Sequence, residues 1–329
     1  DYYASRGLGD VYKRQSWFYV MVVVTVLLLT ELKHTFTEFA QRMKNDEMIT
    51  LAKFLAISGI ILPMLPHKNL IPDINLTPYS IWLATVVVSG ISYLSYLLKR
   101  YVFHESGVLV SGIIGGLYSS TATISVLARK SRKASAQEAN EYVAAMLLAV
   151  SMMFLRFMIL ILIFSREIFM SIYPYLLIMS VVAAVVAWFI HSRQRRSKDL
   201  SADSEEEDSS NPLEFKVALI FATLFVIFTV LTHYTLVYAG TGGLNLLSFV
   251  SGLSDITPFI LNLLQNTGSV AVLIVVACSM QAIISNILVN MFYALFFAGK
   301  GSKLRPWILG GFGTVIGVNL VLLLFFYFI

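Results

Sequence analysis

The sequence has few charged residues and almost no cysteine, and both shortages narrow what the protein can be. Charged side chains make up 13% of the 329 residues, whereas a soluble domain carries about 25%. So few charges cannot cover a water-facing surface. The single cysteine, Cys278, lies within an apolar run, which excludes a disulfide framework and a cysteine-based metal site.

The sequence also lacks the common enzyme motifs. It contains no GxxxxGK[ST] loop, no HExxH and no pair of carboxylates within an apolar segment, and its five histidines are scattered. The hydroxyl-rich stretch SSTAT has no candidate base nearby. We therefore expect a protein that is not an enzyme and has no cofactor, and we leave open whether it binds a metal.

Long apolar runs are what the sequence has in abundance. Apolar residues make up 57% of the chain and the mean hydropathy is +0.77. Such runs predict an all-α polytopic protein that spans a lipid bilayer. We expect this to be the bacterial cytoplasmic (inner) membrane. The basic residues cluster in short loops beside these runs, which indicates orientation in the bilayer and not nucleic-acid binding. The apolar segments are 17–32, 50–66, 81–98, 107–128, 142–165, 168–190, 213–238, 243–264, 269–298 and 305–328.

The remaining sequence divides the chain into five parts. A polar, aperiodic leader precedes a two-span segment with a mixed-charge interfacial helix, and a charged, Ser-rich stretch too polar to fold separates two larger apolar halves. We read the leader as foreign or disordered, and the Ser-rich stretch as a disordered cytoplasmic linker. The predicted parts are 1–15, 16–80, 81–190, 191–212 and 213–329.

Two apolar segments, 107–128 and 243–264, differ from the others in their glycine, proline and hydroxyl content. Glycine and proline weaken the interior of a helix, and lipid has no water to satisfy freed backbone groups. We therefore predict about eight spanning helices and two broken or re-entrant segments. Segment 70–79, with two prolines, is predicted to be an extended loop.

The distribution of Lys and Arg supports this topology. If all ten segments crossed the membrane, the two sides would hold nine and ten basic residues. If both unusual segments are re-entrant, seventeen lie on one side, and only Lys68 and Arg166 lie on the other. The positive-inside rule favours the second arrangement and places loops 129–141, 191–212 and 299–305 in the cytoplasm.

The two broken segments also align with each other. Residues 116–128 match 252–264 at Gly, Leu, Thr, Ile and Leu, and AVSM at 149–152 resembles ACSM at 277–280. The alignment indicates an inverted repeat of 81–190 and 213–328, a recurring plan of secondary transporters. The alternative is chance agreement between apolar sequences.

Asp255 is the one carboxylate deep within an apolar segment, and the alignment places it opposite Ser119. Hydroxyls, a carboxylate and freed carbonyls are hard oxygen ligands suited to a cation or proton pathway. The alternative is that Asp255 only caps a half-helix. The predicted pathway residues on the two broken segments are Ser119, Ser120, Thr121, Thr123, Asp255 and Thr257.

Arg156 is the one basic residue near the middle of a span, where a charge needs a partner or a function. It is predicted to pair with Asp255 or to face an anionic substrate. In a later segment Gln281 precedes Ser285 by one helical turn, as Asn286 precedes Asn290. These side chains line a pathway or, alternatively, form hydrogen bonds between helices.

The motif GLYSSTATISVLARKSR, with IPDINLTPYSIW before it and GLSDI after it, resembles the C-terminal domain of unknown function of MgtC/SapB-type bacterial membrane proteins. The resemblance covers nearly the whole chain from about residue 17, and it implies an MgtC-like membrane domain as a preceding partner that this fragment lacks. The second motif of that family is usually GLADVDA. Asp255 keeps its first acid, but Thr257 replaces the second, which weakens a two-carboxylate cation site.

The sequence leaves two functions open. The first is transport of a small ion or solute through the paired broken segments. The second is a membrane protein that does not transport and acts in regulation or assembly.

Overall fold

The computed structural model describes residues 22–27, 30, 33, 45–72, 74–103, 107–132, 139–193, 215–265, 271–299, 302 and 304–328. The chain divides into two compact units, residues 1–55 and 56–329. In the first unit, residues 22–27 are helical and exposed, and a helix begins at Asn45. The predicted leader, most of segment 17–32, the interfacial helix and most of the linker lie outside the described residues.

Every named element in the described ranges is a helix. Eight of them are long and apolar enough to cross a membrane, which confirms the all-α polytopic fold. Segment 107–128 is among these eight by length, but its backbone is broken. The helices are α1 Asn45–Ala56, α2 Pro78–Leu97, α3 Val108–Lys130, α4 Ala139–Phe164, α5 Arg166–Ser192, α6 Phe215–Ser251, α7 Ile256–Gln265, α8 Val272–Ala298 and α9 Arg305–Phe328, with π-helical turns at Ile57–Ile61 and Leu98–Val102.

Two helix starts follow directly from the sequence. Thr77 and Ser80 form a reciprocal capping box before α2, with Pro78 in the first turn. The predicted extended loop therefore ends at Thr77, because Pro78 and Tyr79 already belong to the helix. Ser165 caps α5 and is the only residue between α4 and α5. These two helices consequently form an antiparallel pair.

Helix α3 is a hairpin of two half-helices, hereafter the first hairpin. Ser119 has extended backbone angles, φ −157° and ψ 106°, in the middle of an otherwise helical segment. A Cβ atom added to Gly115 would lie 2.5 Å from the Thr123 hydroxyl oxygen, although residues eight apart in a straight helix are about 12 Å apart. The chain therefore reverses at Ser119, and Gly115 permits the close return.

A second reversal occurs within α6. Gly240 has φ 59° and ψ −152°, a conformation that favours glycine. A Cβ atom on Gly243 would lie 2.8 Å from the Thr235 methyl carbon, again a contact between residues eight apart. The part of α6 after Gly240, the turn at 252–255 and α7 together form the second hairpin.

The four half-helices have nearly the same length. Residues 108–118, 120–130 and 241–251 are eleven residues each, and α7 has ten. At 1.5 Å per residue they are about 15–16 Å long, half of the roughly 30 Å hydrocarbon core. Each hairpin therefore brings its tip to the middle of the bilayer.

The hairpins enter from opposite sides. The first begins just after the end of α2. It runs alongside the start of α4, because Gly112 and Gly116 pack on the backbone of Ala145 and Ala149. The second ends at Gln265, whose side-chain nitrogen donates to the Ser80 carbonyl at the start of α2. Both predicted broken segments are thus confirmed as re-entrant.

Arg132 joins the end of the first hairpin to the end of α8, in the two predicted halves. Its guanidinium donates to the carbonyls of Phe296 and Phe297 at the end of α8, and Arg129 lies over the Phe297 ring at 4.7 Å. The end of the first hairpin and Gly299 are therefore on one side of the membrane, as the charge distribution predicts. The helix order puts the end of α5 on that side as well.

A valine at Gly116 should destabilise the protein because its side chain would meet the Ala149 backbone, where the Cα lies 2.5 Å from the added Cβ. We expect a loss of about 1–3 kcal/mol in the free energy of unfolding, measured by thermal unfolding in detergent. Gly313→Val is the matched control, since nothing lies within 4 Å of its Cβ position. Equal stability of the two variants would contradict the close helix approach.

Single-cysteine variants test the topology, in a background where the buried Cys278 is replaced by serine. Lys68→Cys should react with an impermeant thiol reagent added outside intact cells, and Ser192→Cys should react only after the membrane is permeabilised. Both positions are exposed, so a failure to label cannot be attributed to burial. The reverse labelling pattern would invert the proposed orientation.

Candidate functional site

Each hairpin tip carries a side chain that caps the returning half-helix. The Ser119 hydroxyl accepts a hydrogen bond from the Ala122 amide at 3.3 Å, and Asp255 Oδ1 accepts one from the Thr257 amide at 3.0 Å. Both satisfy amides that a helix start leaves without partners. Asp255 therefore caps the returning half-helix, and the sequence alignment pairs two residues with the same local role.

A donor side chain from the following spanning helix satisfies carbonyls at each tip. Arg156 of α4 donates from Nη1 to the Tyr118 carbonyl at 2.8 Å and from Nη2 to the Ser92 hydroxyl at 3.4 Å. Asn286 of α8 donates from its amide nitrogen to the carbonyls of Gly252 at 3.3 Å and Ser254 at 3.4 Å. The donor side chain is an arginine at the first tip and a neutral amide at the second.

Arg156 and Asp255 carry opposite charges and lie within electrostatic range of each other. This attraction relates the first tip to the second, because Arg156 contacts the first tip directly and Asp255 belongs to the second. No carboxylate of the described residues is in direct contact with Arg156, and its hydrogen-bond partners are neutral. The predicted Arg156–Asp255 pairing thus exists as an attraction without a direct ion pair.

Polar side chains of α8 surround the second tip. Gln281 Oε1 accepts from the Ser248 hydroxyl at 3.0 Å, and the Asn290 amide donates to Asn286 Oδ1 at 3.2 Å. The Ser285 hydroxyl has no hydrogen-bond partner, although the residue is fully buried. It lies against the tip, since a Cβ on Gly252 would be 2.8 Å from its oxygen.

The other predicted residues are mostly structural. Ser120 and Thr257 are buried beside their caps, and the Thr121 carbonyl accepts from Ser125 at 2.8 Å. Thr123 packs against Gly115 inside the first hairpin. Sequence reasoning missed Ser92, which contacts Arg156 from α2. A serine in an apolar helix gives no sign of its partner, because the contact depends on tertiary packing.

The tips are not closed by the surrounding helices. Ala122 is exposed just beyond the first tip, and residues 253–255 are exposed at the second. Arg156 itself has intermediate exposure. The described residues contain no group of three or more His, Cys, Asp or Glu that would hold a metal ion. The site therefore consists of one arginine, one carboxylate, hydroxyls, amides and two half-helix N-termini.

The comparisons place this architecture in a family. The family model described as "Domain of unknown function (DUF4010)" matches residues 86–298, which include both hairpins, Arg156 and most of both halves. The chain belongs to the DUF4010 family. An uncharacterised protein of Aquifex aeolicus (strain VF5) is 26% identical over 220 residues, covering 66% of this chain and 94% of the relative. No solved structure matches the chain.

Family membership agrees with the predicted resemblance to a membrane domain of unknown function. The DUF4010 match contains the motif at 116–132 and the GLSDI stretch on which that resemblance depends. The connection to MgtC/SapB-type proteins stays a prediction.

Substitutions at Asp255 separate capping from ion pairing. Asparagine caps a helix about as well as aspartate, whereas alanine costs about 1 kcal/mol. We expect Asp255→Asn to unfold near the wild-type temperature and Asp255→Ala to unfold at a lower one. If the negative charge is what holds the tip in place, both variants will be destabilised alike, and adding Arg156→Met will restore the expression of the asparagine variant.

Proposed function

We propose that this DUF4010 protein is a transporter-like module for a small ion or solute, with its binding site where the two hairpin tips approach Arg156. The observation that carries this proposal is the pair of re-entrant hairpins entering from opposite sides. Non-helical backbone at membrane depth is tolerated where it is buried in protein or lines a cavity. In secondary transporters such breaks form the substrate site near the midplane.

The polar groups at the tips support a binding role. A protein that needs only stable helix packing has no use for two chain reversals at half-bilayer depth. The exposed residues 253–255 and the electrostatic attraction between Arg156 and Asp255 indicate that the tips are accessible and charged. The cation or proton pathway predicted from the sequence would use Asp255 as its main charge.

The rival is a regulatory or assembly partner in the membrane, for which an MgtC-like domain is the partner that the sequence resemblance suggests. Several buried polar groups favour this rival because they join helices. Ser151 and Ser180 exchange hydrogen bonds between α4 and α5, and the Asn262 amide of α7 donates to Thr232 at 2.7 Å. Such contacts stabilise packing without forming a pathway.

A flux assay in proteoliposomes decides between the two functions. We expect the purified protein to carry at least one member of a panel of small ions, and Ala122→Trp to abolish that flux by filling the exposed space at the first tip. Val185→Trp is the control, since Val185 is 54% exposed on α5, away from the hairpins. Absence of flux across the panel would favour the non-transporting role. Equal flux in both variants would show transport by a pathway that does not pass the first tip.

A further inference from the structure

The hydrogen bonds of Arg156 use only part of its donor capacity, and their neutral partners do not require a positive charge. Its guanidinium has five N–H donors and cannot be deprotonated in a protein, yet it donates to one carbonyl and, at 3.4 Å, to one hydroxyl. The buried Nε has no partner. At the second tip the neutral Asn286 satisfies two carbonyls from the equivalent helix. A neutral side chain is therefore sufficient to hold a tip.

The surroundings of Arg156 add positive potential. Half-helices 120–130 and 256–265 both begin at the tips, and each N-terminus carries a partial positive charge. Tyr118, which accepts from Arg156, lies two residues before the first of these starts. The negative charge of Asp255 offsets this positive potential only in part, because its Oδ1 also accepts a hydrogen bond from the Thr257 amide.

The second tip also holds a buried hydroxyl without a hydrogen-bond partner. The Ser285 hydroxyl is fully buried, has no hydrogen-bond partner and lies beside Gly252. Buried hydroxyls normally have a partner. A ligand at the tips would supply acceptors for the spare guanidinium donors of Arg156.

We propose that the ligand is a small oxyanion, either a carboxylate or a phosphate- or sulfate-like group, anchored by Arg156. This inference rests on the proposed binding site at the hairpin tips. The planar guanidinium fork matches two oxygens of such an anion, and half-helix N-termini favour negative charge. Asp255 is the counter-ion of Arg156 in the empty site, and the bound anion takes over that role.

The unmodified chain in nanodiscs gives the first test, by thermal unfolding at constant pH and ionic strength. Sodium phosphate, sodium sulfate and sodium succinate are titrated against sodium chloride, and potassium and magnesium chloride form a separate cation series. We expect at least one oxyanion to raise the unfolding temperature saturably, because a ligand that binds the folded state stabilises it. Stabilisation by cations alone, or by none of the three oxyanions, would overturn the proposal.

Variants then show which side chain the stabilisation by the oxyanion depends on. Arg156→Gln should lose the stabilisation by the oxyanion, and Arg156→Lys should weaken its binding severalfold because a lysine keeps the charge but not the fork. Asp255→Asn should bind the anion at least as tightly as the wild type, since a repelling charge is removed. Arg166→Gln, at the start of α5, is the charge-matched control and should behave as wild type.

Three results of the variant series would overturn the proposal. These are an undiminished response in Arg156→Lys, an equal loss in Arg166→Gln, and a loss of oxyanion binding in Asp255→Asn. The lysine variant keeps the test valid if the glutamine variant does not fold.

Failure of this inference differs from failure of the proposed function. Saturable oxyanion binding without flux of any ion would leave the anion site in place and remove the transport function. Cation flux that depends on Asp255 and survives Arg156→Lys would keep transport and exclude the anion site.

Discussion

Hydrocarbon provides no hydrogen bonds, so a helix that stops in the middle of a bilayer must find partners for its free backbone groups within the protein. Both hairpin tips meet this requirement in the same way. A short side chain at the tip, Ser119 or Asp255, accepts from an amide of the returning half-helix. A longer side chain from the next spanning helix donates to carbonyls at the tip, Arg156 to the end of the entering half-helix and Asn286 to the turn.

This common solution is the clearest sign of the inverted repeat. The alignment pairs Ser119 with Asp255, and both are caps at a chain reversal. The packing around the tips is less symmetric. Gly116 packs on Ala149, whereas the aligned Gly252 packs against Ala282 and Ser285 and not against Ala277, the residue aligned with Ala149. The two predicted halves thus resemble each other in the backbone plan of their tips, while these two aligned glycines have different neighbours.

The sequence was sufficient to predict the breaks because glycine, proline and hydroxyl residues act locally on a helix. The midplane position follows in the same way, since half-helix length fixes depth. The sequence could not predict contacts between residues that are far apart along the chain. The contact of Arg156 with Tyr118 joins residues 38 positions apart, and it depends on the close approach that Gly112 and Gly116 permit. The reversal at Gly240 falls between the predicted segments 213–238 and 243–264, where the stretch AGTGG holds three glycines.

The hydrogen bonds described between the two halves lie at the membrane surfaces. Arg132 joins them at the end of α8, and Gln265 joins the second hairpin to Ser80 at the opposite end of the helices. At the midplane each tip is hydrogen-bonded within its own half, and the link between the tips is the attraction between Arg156 and Asp255. Such an attraction falls gradually with distance, whereas a hydrogen bond is lost within a fraction of an ångström. A charged ligand at the tips would therefore act first on the interaction between Arg156 and Asp255, which reaches further than the hydrogen bonds that hold each tip.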